Sequence, residues 1–419
     1  MGVSKKKKII FIIIVVLFLL AAGFDTYYFI DRHNKEVKKT NKEHNLILKN
    51  IKANYNTYVK TVNETALYKK EKGKYVLAGS ISGDMNLILE DKKIKDYKDE
   101  YFKIKDLDYY VKYTGVTKID EFTYDTRFTN YIPFNKNVVT EAVTRFYDDN
   151  GNNLSIKEGV DLPLLINDTD KYYVAYNNQL FYIKKDEATL KDNSNTQTVG
   201  ADRIPVVLYH YVYNDSNKNQ CSNTVICSSI AQVDEHYKYL KDHNYYTTTM
   251  LDLDLWLDGK INLPKNSITI TIDDGWFVDE NLNLLRKYDL HATLFMITSL
   301  YKNAKVYNSK YIETHSHTDN LHYTGACPGG QGSPIKCLDK NKILTDLKLS
   351  REKLDNTTYF SWPFYEYNDY SMNLLKEAGF TMAFKGGREH ATKGINKFLV
   401  PRKTIHNTTS LSEFISMIS

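Results

Sequence analysis

The chain opens on a basic cluster, Lys5 to Lys8, followed by an unbroken apolar run over residues 9–24. That order of charge and apolarity belongs to a signal peptide or an N-terminal anchor. The run is somewhat short for a bilayer of about 30 Å, but Tyr27, Tyr28 and Phe29 supply an interfacial aromatic belt. It is rich in Ile and Leu and no A-x-A-like site follows, so a single-pass anchor over residues 1–30 is expected, with a cleaved signal peptide as the alternative. The positive-inside rule then places everything beyond Asp31 outside the cytoplasm. Over residues 31–66, Ile47, Ile51, Tyr55, Tyr58 and Val62 recur at spacings of three and four, which predicts a helical stalk. Between 67 and 190 the period changes to short runs of Tyr, Val, Ile and Phe separated by Gly, Asn and Asp, which predicts a β-rich accessory domain. Residues 75–77 and 87–89 read as strands, as do 172–176 and 180–183, hinged at Asn177 and Asn178. A polar linker follows at 191–203.

From Ile204 to the end, strands and helices alternate, so residues 204–419 read as an α/β domain. Buried-type strands fall at 204–208, 267–272, 292–297 and 359–362, and Ile230, Val233, Tyr237 and Leu240 mark a helix face. Gly379 stops a helix carrying Met372, Leu375 and Ala378, and Ser410 with Glu413 forms a capping box for the last helix. The residues with chemistry sit where strands give way to loops.

Composition changes this picture little. Hydrophobic residues at 42% and charged residues at 26% are ordinary for globular protein, so disorder is not the default. The 34 tyrosines suit exposed strands and sugar-stacking surfaces, and they also follow from an AT-rich genome. Net charge is +5, part of it from the N-terminal lysines, which leaves no footprint for nucleic acid. Cys221 with Cys227, and Cys327 with Cys337, lie in short polar loops and read as two local disulfides outside the cell. A zinc site built from all four thiolates is the alternative, without a C-x-x-C pair to favour it. The accessory domain suits either a small SH3-like barrel or a spacer holding the next domain off the membrane.

Two clusters carry the chemistry. Asp273 and Asp274 stand side by side before Gly275 at a strand end, where a sharp turn lets one carboxylate bind a metal while the other accepts a proton. His315, His317 and His322 fall within eight residues of a chain that holds only 11 histidines. Two His and one Asp form the N,N,O set that holds Zn²⁺ or a related divalent ion and leaves positions open.

Four segments, residues 204–210, 271–275, 316–322 and 359–364, resemble in order the motifs of NodB-homology polysaccharide deacetylases, most closely the poly-β-1,6-N-acetylglucosamine branch. The resemblance covers 204–419, about half of the chain, and implies a (β/α) barrel-like catalytic domain. It implies Asp273 as general base and Asp274, His317 and His322 as ligands of one divalent ion, Zn²⁺ or else Co²⁺, Ni²⁺ or Mn²⁺, with His315 outside the set. Two histidines compete for the catalytic acid: His210, in Leu208-Tyr209-His210, is expected to serve, and His406 to contact substrate. Tyr209, Trp276, Trp362 and Phe364, with Pro363, are candidates for a groove that takes sugar rings, core packing being the alternative and commoner fate of such residues. The chain departs from the better-known branch at Ser361-Trp362-Pro363-Phe364, which lacks the arginine that braces the base, and at Tyr365, which replaces a glycine. The reaction implied is removal of N-acetyl groups from GlcNAc of a cell-envelope glycan, most of all peptidoglycan. Exported poly-GlcNAc is the alternative substrate, and a glycan-binding pseudoenzyme the alternative class.

Overall fold

The computed structural model describes residues 57–90, 101–193, 199–218 and 226–419. The expected anchor, the stalk up to residue 56 and Cys221 lie outside these residues. Among the described residues, no helix is long and apolar enough to cross a membrane. Contacts divide the chain into two compact units, one running to residue 123 and including 151–157, the other comprising 124–150 and 158–419. The division falls within the β-rich stretch and not at residues 191–203.

The first unit is all β in its described part. Thr57–Thr61 pairs antiparallel with Asn86–Leu89 and Val116–Lys118. A second sheet runs in the order Asn153–Ile156, Lys74–Ile81, Thr65–Glu71, Tyr110–Lys112 and Tyr101–Lys103. The described end of the predicted helical stalk is therefore strand. The β-branched residues Thr57, Val59 and Thr61, alternating along the segment, decide for the strand, and Val62 lies beyond it and is exposed.

The second unit is built on a barrel of seven parallel strands: β1 (Val206–Tyr209), β2 (Ser267–Asp274), β3 (Ala292–Met296), β4 (Ile312–Ser316), β5 (Tyr359–Ser361), β6 (Met382–Gly386) and β7 (Val400–Thr404). Each pairs with the next in chain order, and β1 pairs in parallel with both β2 and β7, which closes the ring. Parallel neighbours need crossovers, and among the described residues five helices lie in them, α1 (Ile230–Asp242), α2 (Met250–Leu257), α3 (Val278–Tyr288), α4 (Lys340–Glu352) and α5 (Asp369–Glu377), while α6 (Leu411–Ile418) follows the last strand. In β2, Ile268, Ile270 and Ile272 pack in the core with Val233 and Tyr237 of α1 and Leu285 of α3. The alternate residues Thr269, Thr271 and Asp273 share the opposite face, all buried, so the strand presents a polar row inside the barrel. Ser410 and Glu413 cap α6 in the expected box. Before the barrel, Lys171–Tyr176 and Gln179–Lys184 form the predicted hairpin, with Asn177 and Asn178 at positive φ (47° and 64°) in its turn. Tyr131, Leu165 and Ile166 join Leu253 and Trp256 of α2 in one apolar cluster, which is why residues 124–150 and those from 158 onward belong to this unit.

Candidate metal and catalytic site

The site forms at the C-terminal end of β2. Asp273 and Asp274 are both buried, and Asp274 (φ 75°) and Gly275 (φ 98°) turn left-handed, so the two carboxylates do not diverge to opposite faces as strand neighbours would. Gly275 is required on two counts: its φ, and a Cβ there would lie 2.4 Å from Met296 Sδ.

Asp274 meets two histidines from the loop after β4. Its Oδ1 lies 3.4 Å from His317 Nε2 and 3.3 Å from His322 Nε2. The three residues form the one such group able to hold a metal ion among the described residues, one donor atom from each lying within 4.8 Å of the others. The surroundings fix which atoms converge. His317 Nδ1–H donates to Ser361 O at 2.8 Å, which leaves Nε2 as the lone-pair nitrogen. The Tyr211 hydroxyl donates to Asp274 Oδ2 at 2.6 Å, which leaves Oδ1 for the cation. The donor set therefore fits a divalent ion of the zinc type. Asp346 anchors the loop by accepting the backbone N–H groups of Asp319 (2.8 Å) and Asn320 (2.7 Å). His315 stands outside the set and is bonded through Nδ1 to Thr357 Oγ1 at 2.7 Å.

Asp273 is held in a fork. Arg402 Nη1 and Nη2 donate to its Oδ1 and Oδ2 at 2.7 Å each, and Ser361 Oγ donates to Oδ2 at 2.9 Å. Arg402 is fully buried on β7, its guanidinium 5.5 Å from the Phe295 ring centre and 5.8 Å from that of Phe384. Burial would raise the Asp273 carboxyl, but Arg402 and His317 outweigh it and hold the pKa below the usual carboxylate range. With no arginine at residues 361–364, a different strand supplies the one that braces Asp273, and Ser361 Oγ joins the pair by accepting from Arg402 Nη2 at 2.7 Å.

His210 leaves β1 half-buried among the charges of Asp273, Asp274, Arg402 and His317, with no protein partner at Nδ1. Burial lowers its pKa. His406 is exposed and lines a neighbouring cavity of about 910 Å³ with Tyr365, Arg388 and Lys403. Trp276 is 46% exposed and Phe364 stacks obliquely on His322 at 4.5 Å, both compatible with a groove. Trp362 and Pro363 are corrections. Both are buried, and the Trp362 indole packs on Phe360 and donates to Phe398 O at 2.9 Å, so these side chains serve the core beneath the loop and not the substrate. Tyr211 and Arg402 were not foreseen. The available signal was an arginine inside a β-type run, Val400-Pro401-Arg402, where a buried charge demands a partner.

Cys327 and Cys337 are bonded as expected. Cys227 is also disulfide-bonded.

Residues 260–383, from just before β2 into β6, match the family model described as polysaccharide deacetylase. Among curated proteins, a putative polysaccharide deacetylase of Bacillus subtilis (strain 168), YxkH, is 25% identical over 191 residues, which cover 43% of this chain and 63% of that protein. The chain thus spans less than two thirds of that relative's length. Poly-beta-1,6-N-acetyl-D-glucosamine N-deacetylase of Staphylococcus aureus (strain MSSA476) is 24% identical over 219 residues, covering 46% of this chain and 72% of the relative. Of solved structures, a de-N-acetylase from Aggregatibacter actinomycetemcomitans aligns with a TM-score of 0.45 at 22% identity, covering 52% of this chain and all of its own. IcaB from Ammonifex degensii gives 0.45 at 18%, covering 52% and 97%. The second unit of the chain carries a polysaccharide deacetylase domain of the NodB-homology family.

Proposed function

We propose that this protein is a metal-dependent hydrolase that removes N-acetyl groups from GlcNAc residues of a cell-envelope polysaccharide, most of all peptidoglycan, outside the membrane to which its N-terminal segment anchors it. The observation that carries the reading is the pairing of an N,N,O donor set with a second carboxylate, Asp273, locked beside it. A divalent cation held by Asp274 Oδ1 and the Nε2 atoms of His317 and His322 supplies Lewis acidity to the acetamide carbonyl and to water. Asp273 accepts the proton of the attacking water. Two donors occupy its Oδ2 and one its Oδ1, so Oδ1 keeps the freer lone pair for that proton. Arg402 keeps the carboxylate ionised and aimed, and a backbone N–H near Phe364 steadies the oxyanion. His210, in its protonated form, gives its proton to the departing amine and is left neutral. It shares the charged surroundings of Asp273 and Asp274, whereas His406 stands exposed at the cavity. Water's oxygen joins the acetyl carbon, the C–N bond breaks, and acetate and a free glucosamine result.

Exported poly-β-1,6-GlcNAc is the second reading, supported by what the S. aureus relative is named for. Acetate release from purified peptidoglycan and from poly-GlcNAc, measured side by side, separates the two. We expect release from peptidoglycan and at least a hundredfold less from Asp273→Asn, with metal retained. Metal-loaded protein that releases acetate from neither polymer overturns the reading.

A further inference from the structure

The first unit presents a sheet face that deacetylation does not use. Register fixes it: Tyr68 lies opposite both Leu77 and Tyr110, Lys70 opposite Tyr75, and Tyr101 opposite Lys112, and opposed residues share a face. With alternation along each strand, Tyr68, Tyr75, Tyr101 and Tyr110 come together with Lys70 and Lys112. None of these six is buried, while Leu67, Phe102 and Val111 on the reverse face are. The rings form one assembly. Tyr75 stacks on Tyr101 at 3.9 Å, and Tyr68 and Tyr110 meet these two edge-on at 4.8 and 5.1 Å. Lys112 Nζ lies 5.4 Å from the Tyr101 ring centre, and Lys70 Nζ 5.6 Å from that of Tyr75. The same register adds Leu77 and Lys103, the latter already paired with Glu90 at 3.3 Å, and it places no carboxylate-bearing residue among the strand positions around Lys70 and Lys112. An exposed sheet face ordinarily carries mixed polar residues. Four clustered tyrosines bordered by cations form a surface for a polymer that has both flat rings and negative charge.

We infer that this face binds the peptide-bearing glycan strands of peptidoglycan, sugar rings on the tyrosines and stem-peptide carboxylates on Lys70 and Lys112. The charge selects this occupant: a neutral poly-GlcNAc makes no use of the lysines, and the amines that deacetylation adds weaken the attraction to them. The face thereby holds unprocessed strands in preference to finished ones. The choice of ligand rests on the proposed envelope substrate, but the site does not involve the barrel.

The test is co-sedimentation and fluorescence titration of the full chain in detergent, with chelator present so that turnover is off and the result is independent of deacetylation. The probes are sonicated peptidoglycan strands, neutral GlcNAc oligomers and single-stranded DNA. Peptidoglycan strands should bind, should weaken as salt rises, and should weaken at least tenfold in the Lys70→Glu/Lys112→Glu variant, with Tyr75→Leu as a second variant that keeps the charge. Neutral oligomers binding equally well, unchanged binding in the lysine variant, or a preference for DNA overturns the inference. Acetate release without this preference removes the platform alone. Strand binding without acetate release removes the enzyme reading alone.

Discussion

At the scale of single residues, the site rests on atoms kept out of the chemistry as much as on those kept for it. Tyr211 occupies Asp274 Oδ2, and the edge-on ring of Phe277, 6.0 Å away, packs against it. Tyr211→Phe keeps that ring contact and removes only the hydroxyl, freeing the carboxylate to turn. Metal affinity should fall about 10- to 100-fold, as for other groups that orient a ligand. Competition against a chromophoric chelator reads this directly, and an unchanged affinity would mean that the tyrosine does not set the carboxylate. Arg402 works in the same indirect way on Asp273 from 129 positions away. Arginine suits the task because its planar fork matches a carboxylate at two points.

At the scale of elements, the loop that follows His322 is fastened at several points. The Cys327–Cys337 bond closes a span of 10 residues. Glu366, just past the turn at Phe364 and Tyr365, accepts the Ser333 N–H at 2.8 Å and pairs with Lys336 Nζ at 2.9 Å. Gly330 has no room for a side chain, since a Cβ there would fall on that same carboxylate. Cys337→Ser should cost about 2–3 kcal/mol, the loop-closure entropy of so short a ring. It should also open the peptide bond after Lys336 to trypsin, observable by limited proteolysis followed by mass spectrometry. Equal resistance in the variant would assign the loop's order to Glu366 and Lys336 alone.

At the scale of the whole molecule, β1, α1 and α6 meet at His236, which is fully buried, bonded through Nδ1 to the Tyr209 hydroxyl at 3.0 Å and stacked on Phe414 at 4.3 Å. Burial lowers its pKa to about 4. The unfolded chain protonates this residue near pH 6.5, so between those values the unfolded state binds the extra proton. Stability that is complete above pH 6.5 is therefore lost as pH falls towards 4, by up to about 3 kcal/mol from this group. Urea midpoints at pH 7.5 and 4.5 should differ less in His236→Phe than in the parent chain, and an equal difference would place the acid sensitivity elsewhere. The sequence by itself determined what is local. Asp273, Asp274, His317 and His322 are legible because their types and spacing are chemical statements within a few residues, and the α/β alternation because burial repeats with a short period. Tertiary structure decided what depends on closure. Trp276 and Trp362 read alike in sequence, yet one is exposed at a left-handed turn and the other fills the core, because direction is set by the backbone after each strand. The arginine that braces Asp273 stands on β7 and not at residues 361–364. It reaches Asp273 only because seven parallel strands close into a ring, which sets the last strand beside the first and aims both inward at β2.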